Sequence, residues 1–348
     1  MSAPAAADQR FPAVERKVVS TQAGAIAHPN IAFIKYWGNQ DHALRLPSNG
    51  SLSMTLGGLA TRTLVTFDPA LTADRVTIND EPTAGRPLAR IQLHLDRIRA
   101  LASLSMFADV ASVNNYPSDA GIASSAAGFA ALTVAGCRAA GLDLDRRSLS
   151  RLARAGSGSA ARSIYGGFVE WYSGDDANSY AEPLAPEDHW SLVDWIAVVD
   201  SGSKPVGSSE GHRLAETSPL QDARLSGAQD RLVRCRRAVL ERDFSSLATI
   251  AELDSDLMHA VMMTSNPPVL YWAPATIELM KTVRQMRAEG TQVFYTIDAG
   301  PNVHCICPAH EAKFVGDALG RLASVQQLFH AHVGGPAELL SGDLSMTE

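Results

Sequence analysis

Asn114-Asn115-Tyr116-Pro117-Ser118-Asp119-Ala120-Gly121-Ile122-Ala123-Ser124-Ser125-Ala126-Ala127-Gly128 decides how this chain is read. Small residues through such a turn let backbone approach a ligand, and the alanine-rich run after it opens a helix whose first N–H groups have no intrahelical partner. That is the pattern of a nucleotide-phosphate loop without a Walker lysine. The hydroxyls of Ser124 and Ser125 can bind phosphate oxygens or a metal ion. Taken alone, the stretch also reads as a tight turn into an apolar helix, so its neighbours must decide.

Three other stretches carry chemistry. Ala27-His28-Pro29-Asn30-Ile31-Ala32-Phe33-Ile34-Lys35-Tyr36-Trp37-Gly38-Asn39 ends an apolar strand with a cation and two polar-tipped aromatics. The group suits an anionic, partly apolar ligand, or else a strand end with a solvated lysine. In Arg154-Ala155-Gly156-Ser157-Gly158-Ser159-Ala160-Ala161-Arg162-Ser163, a helix starting near Ser159 puts Ser159 and Arg162 on one face. They can grip one anion together, or serve as N-cap and surface charge. Tyr295-Thr296-Ile297-Asp298-Ala299-Gly300-Pro301-Asn302-Val303-His304 sets a carboxylate at the end of an apolar strand. Asp298 there is a general base or a turn residue that satisfies its own backbone.

The 348 residues, 46% of them hydrophobic, allow a large core and favour about two domains. We expect a tail over residues 1–17, an ATP-binding lobe over 18–194 and a second lobe over 195–348 that completes a cleft. The boundary follows from the Pro-rich, acidic text at 182–194. Strands are expected at 61–67, 75–78, 195–199, 292–297 and 303–307, and helices at 90–104, 128–136, 147–155, 220–241 and 273–288. A net charge of −7 without a basic face excludes a nucleic-acid footprint. No apolar run approaches the ~18 residues of a membrane span, and the N-terminus lacks the form of a signal peptide. Cys137 and Cys235 stand apart and Cys305 and Cys307 are too close to bridge, which fits a reducing, cytoplasmic compartment.

Taken in order, the four stretches resemble the mevalonate diphosphate decarboxylase family of the GHMP kinase superfamily. Residues 30–39 are similar to the family's NIAxIKYWGK, residues 47–56 to PTNSSLSxTL, the glycine loop to PTAAGLASSAAG, residues 156–167 to GSGSAxRSxxGG, and residues 298–302 to DAGPN. The resemblance implies an α+β, two-lobed GHMP-kinase fold with a ribosomal-protein-S5-like N-terminal lobe and a ferredoxin-like C-terminal lobe. It also implies ATP and Mg2+ along residues 115–128, held by Asn115, Gly121, Ala123, Ser124, Ser125, Ala126 and Gly128, with Ser124 and Ser125 at the metal. Asp298 matches the base, Arg162 the carboxylate-gripping arginine, Lys35 the active-site lysine, and Ser157 and Ser159 the substrate-phosphate contacts. Tyr36, Ser208, Ser209 and His212 are further substrate-binding candidates, and family members are commonly homodimers.

Two departures bear on the substrate, a small-molecule phosphorylated mevalonate. Asn39 replaces the second lysine of KYWGK. In Lys204-Pro205-Val206-Gly207-Ser208-Ser209-Glu210-Gly211-His212, similar to KxVSSxxGM, Glu210 stands where some bacterial members carry a phosphate-binding arginine, and His212 replaces Met. Losing a cation and adding an acid disfavours an extra phosphate. Mevalonate 5-phosphate, giving isopentenyl phosphate, is therefore expected, with the 5-diphosphate as the alternative. A mevalonate-type 3-kinase is a further alternative, disfavoured by the joint presence of Asp298, Lys35 and Arg162.

Overall fold

The computed structural model describes residues 21–117, 124–200, 202 and 206–341. The expected tail over 1–17, and Gly121 and Ala123 of the glycine loop, lie outside them. Alternation at a period of two builds the first sheet: in strand Thr61–Asp68 every second residue, from Thr61 to Phe67, is buried. That strand lies between Gln22–Ala27 and Phe107–Asn114 in a six-stranded sheet that continues through Arg75–Ile78 to Glu81–Pro82. Helices Gly85–Ala102 and Ser124–Ala139 cover it, with Leu95, Ile98, Phe129 and Leu132 in the shared core.

The second sheet has eight strands and draws on both halves of the chain. Its order is Ala181–Ala185, Phe168–Trp171, Ser51–Gly57, Gln327–Val333, Leu192–Val198, Val303–Pro308 and Phe294–Thr296, with Asn30–Ile34 also paired to Ser51–Gly57. The halves join where Val333 faces Leu56 and His332 faces Gly57. Asn30–Ile34 is buried along its whole length, and Phe33 packs against Phe168 from one half and Phe294 from the other. A boundary at residue 194 therefore falls inside strand Leu192–Val198. Beyond it the chain also returns: Glu338–Leu339 pairs with Ala25 and Ile26 on the first sheet.

The expected helix over 220–241 is two helices, Gln221–Ser226 and Ala228–Glu241, separated at Gly227. Glycine is a poor helix former, and at Gly227 a φ of −93° and ψ of 0° lie at the edge of the helical region. No described helix is long and apolar enough to cross a membrane.

Candidate active site

Lys35 follows strand Asn30–Ile34, and its backbone is clamped by side chains. Its N–H donates to Asp254 Oδ2 at 2.6 Å, and its carbonyl accepts from Asn49 Nδ2 at 3.0 Å and from a terminal nitrogen of Arg224 at 2.9 Å. Asp254 is fully buried and also takes Arg231 Nε at 2.7 Å, so a carboxylate and two arginines fix the strand end without solvent. Held in this way, the buried Lys35 side chain reaches Asp298 Oδ1 at 2.6 Å.

Asp298 comes off strand Phe294–Thr296, whose exit is pinned where Ile297 N–H donates to Ser255 Oγ at 3.0 Å. Its side chain keeps 29% exposure, so the carboxylate opens into the cleft while Lys35 backs it. Burial alone would raise the Asp298 pKa, but Lys35, His304 and Arg162 together hold it below the ordinary carboxylate range. Burial brings the Lys35 pKa down, against the attraction of Asp298 and Asp254.

Arg162 is the third member. Asn30 Oδ1 accepts from Nε at 3.2 Å and from a terminal nitrogen at 3.0 Å, while Ser51 Oγ accepts from the other at 2.5 Å. Three of the five N–H groups of a guanidinium are thus used in holding the plane, and the rest are available to the cleft it lines. Burial lowers its pKa to about 10, so it remains cationic at neutral pH. Arg162→Lys keeps the charge but loses the fork. We expect kcat/KM to fall about 10- to 100-fold, as for a lost charge-assisted hydrogen bond, in steady-state assays below the variant's melting temperature, which should itself drop because buried Asn30 and Ser51 lose donors.

These three line one open cleft with Tyr36, Ser125, Ser157, Ser159, Ser208, Ser209 and His212. Tyr36 is packed by glycine: a Cβ on Gly158 would sit 2.5 Å from its ring. Its hydroxyl donates to Asn39 Oδ1 at 2.5 Å, and its ring lies 4.1 Å from that of His212. His212 Nδ1 accepts from Gly38 N–H at 3.0 Å, and burial with nearby cations depresses its pKa to about 3, so it stands neutral. Ser125 Oγ and Ser157 Oγ lie 3.2 Å apart, where the glycine-loop helix meets the Gly-Ser segment.

Other candidates are placed differently. Ala126 is buried at the helix start, and Gly128 faces open space, with nothing within 4 Å of where a Cβ would stand. Ser124 opens the same helix. Both ends of the Asn115 amide are taken by backbone, accepting from Ala60 N–H at 2.8 Å and donating to Gly58 O at 2.9 Å, and it does not line the cleft. Glu210 requires a correction. Its side chain pairs with Arg213 at 3.3 Å on an exposed helix face, so it adds no acid to the cleft wall. The helix Ser208–Leu214 buries His212 and sets the exposed Ser208 and half-buried Ser209 on the lining of the cleft instead.

Sequence reasoning missed Arg45 and Arg90, which also line the cleft. Neither belongs to a recognisable stretch, and no local pattern marks them. It also missed Asp254, for which a signal exists: this carboxylate sits four residues from Ile250 and four from Met258, both buried, on the apolar face of helix Phe244–Met263. Among the described residues no cluster of three or more His, Cys, Asp or Glu could hold a metal ion.

A two-lobed α+β fold with an Asp–Lys–Arg cleft beside a glycine-loop helix is the architecture of the GHMP-kinase superfamily. Residues 27–181 match the diphosphomevalonate decarboxylase-like N-terminal domain, and residues 195–339 the mevalonate 5-diphosphate decarboxylase C-terminal domain. The chain belongs to this family of ATP-dependent decarboxylases. It is 43% identical to the diphosphomevalonate decarboxylase of Homo sapiens over 298 residues, 78% of this chain and 73% of that one. It is 33% identical to the phosphomevalonate decarboxylase of Haloferax volcanii over 322 residues, 92% of this chain and 98% of that one. Its structure resembles that of MDDEF in complex with MVAPP, AMPPCP and magnesium, with a TM-score of 0.88 and 38% identity over 92% of this chain and 98% of that one.

Proposed function

We propose that this enzyme acts on the monophosphate, converting mevalonate 5-phosphate to isopentenyl phosphate, within its family's ATP-dependent decarboxylation of phosphorylated mevalonates. The observation that carries the choice is the wall around Tyr36. Asn39 is a neutral amide held by Tyr36 and His42, and His212 is uncharged. Neither of these two side chains gives a second phosphate a cation, and a dianion without a counter-charge is costly to desolvate.

The donor set fits a nucleotide phosphate with magnesium. Ser125 Oγ faces the cleft in the first turn of helix Ser124–Ala139, and hydroxyl oxygen is a hard donor of the kind magnesium takes beside phosphate oxygens and water. Ser124, Ser125 and that helix start would hold the pair; when bound, ATP supplies the phosphoryl group and Mg2+ offsets its charge. Asp298 orients the tertiary 3-hydroxyl and takes its proton as that oxygen bonds to phosphorus. Lys35 holds the Asp298 carboxylate in place by its 2.6 Å contact. Arg162 grips the substrate carboxylate through its remaining N–H groups and keeps the C–C bond aligned. The 3-phosphate then leaves with the C–O electron pair, carbon dioxide departs, and the electrons of the broken C–C bond form the alkene. The same reading implies a cytoplasmic homodimer.

Measured kcat/KM on the two purified substrates tests the choice: the monophosphate is expected to lead by tenfold or so, a gap of about 1.4 kcal/mol. Preference for the diphosphate would reverse it. Two observations favour that second reading: Arg45 and Arg90 add positive charge to the cleft, and the related human protein is a diphosphomevalonate decarboxylase.

A further inference from the structure

Arg45 is a cation without a counter-ion. It closes the turn between the paired strands Asn39–Asp41 and Leu46–Pro47, and it lines the catalytic cleft while only partly exposed. Among the described residues it has neither a hydrogen bond nor an ion pair. The titratable groups that bear on it are Tyr36 and the cations Arg213 and Arg90, with His212 neutral alongside. No carboxylate is among them. A partly buried guanidinium in this setting is electrostatically unfavourable until an anion arrives.

Its backbone tells the same story. Arg45 has a φ of +52°, a left-handed conformation uncommon for a residue with a side chain. Two contacts hold it: Leu44 N–H donates to Asp41 Oδ1 at 2.8 Å, and the fully buried Arg154 donates from Nε to Leu44 O at 3.1 Å. Arg154 is itself anchored by Asp176 and Ser179. The fold therefore devotes a buried arginine to fixing the turn that presents Arg45.

We infer that Arg45 is a further substrate-binding residue that takes the phosphorylated 5-end of the substrate, supplying from the turn of the Asn39 hairpin a cation beside the neutral Asn39 and His212. This rests on the decarboxylase reading above. The phosphate would sit within reach of Arg45 and the cleft hydroxyls Ser208 and Ser209, with Arg90 adding to the positive field.

The test uses the full-length enzyme and three variants, with KM and kcat measured separately for ATP and for the phosphorylated substrate. Arg45→Gln is expected to raise KM for the phosphorylated substrate about 10- to 100-fold, with a smaller change in kcat and in KM for ATP. Arg45→Lys should recover part of that loss. Arg45→Gly relieves the left-handed strain, so it should melt no lower than the parent and still lose the affinity, which a merely structural arginine would not do. Competitive inhibition by unphosphorylated mevalonate should be the same in parent and variants. A loss confined to KM for ATP, an unchanged KM for the phosphorylated substrate, or an equal loss of mevalonate inhibition would each overturn the assignment. The parent's preference between mono- and diphosphate judges the substrate reading separately, since Arg45 is scored on whichever substrate the parent turns over.

Discussion

Replacing Asp298 with asparagine is expected to lower kcat by about 10²–10⁴, the range that positioned proton transfer contributes. The amide has the shape of the carboxylate and can still accept from Lys35 Nζ, so the change removes proton acceptance and charge with little change in geometry. Rapid-quench measurement of ADP and carbon dioxide locates the effect. Both should fall together if Asp298 serves the phosphorylation step, whereas ADP released at the parental rate would remove it from that role. Stability should also change. The carboxylate is 29% exposed, so water screens part of the loss, and a cost of about 1–3 kcal/mol is expected, below the 3–5 typical of breaking a fully buried pair. The sign of the pH dependence follows from the lowered Asp298 pKa. The pair's contribution is complete above about pH 4, where the unfolded carboxylate is ionised, and is lost as pH falls through the lower folded pKa. The asparagine variant should lack that acid-side loss.

Asp254→Leu should produce the largest stability change. It leaves Arg231, Arg224 and the Lys35 N–H without their shared acceptor in a site closed to water, and removing one partner of such a group costs about 3–5 kcal/mol. The urea midpoint should drop accordingly. Activity should fall further than the folded fraction explains, because the Lys35 backbone loses its anchor on helix Phe244–Met263. Asp254→Asn, which keeps one acceptor oxygen but turns an NH2 toward the other donor, should lose less of both than leucine. A leucine variant as stable as the parent would show that the clamp does not hold the strand end.

Different physical information located the two aspartates. Asp298 was legible because a carboxylate that ends a strand at Asp-Ala-Gly-Pro-Asn is a local event: strand, turn and acid lie within a few residues. Arg162, three residues from Ser159, and Lys35, at a strand end, were legible as candidates for the same reason, and the family resemblance gave them their roles. Asp254 left a fainter local trace, a carboxylate at a core position of an apolar helix face. Its partners, Lys35, Arg224 and Arg231, lie far along the chain, and no periodicity connects them. Arg45 left no trace, since a turn arginine is ordinarily solvated, and only the folded cleft shows that it faces other cations. The charge reasoning at Glu210 went wrong because helix Ser208–Leu214 has two faces, and spacing alone does not say which one packs inward.

The sequence by itself determined the mixed α and β architecture and the strand ends and turns that carry Asp298, Arg162 and Lys35, because each depends on near neighbours; local spacing left a site or a structural role open for all three, and the family resemblance chose between them. The tertiary structure alone decided that the two halves share one sheet through Leu56 and Val333, that the chain's end returns to the first sheet, and that Lys35 meets Asp298 across 263 positions. The physical reason is range: backbone preference and side-chain periodicity act over a few residues, whereas strand pairing and buried charge compensation depend on which distant surfaces the collapsed chain brings together.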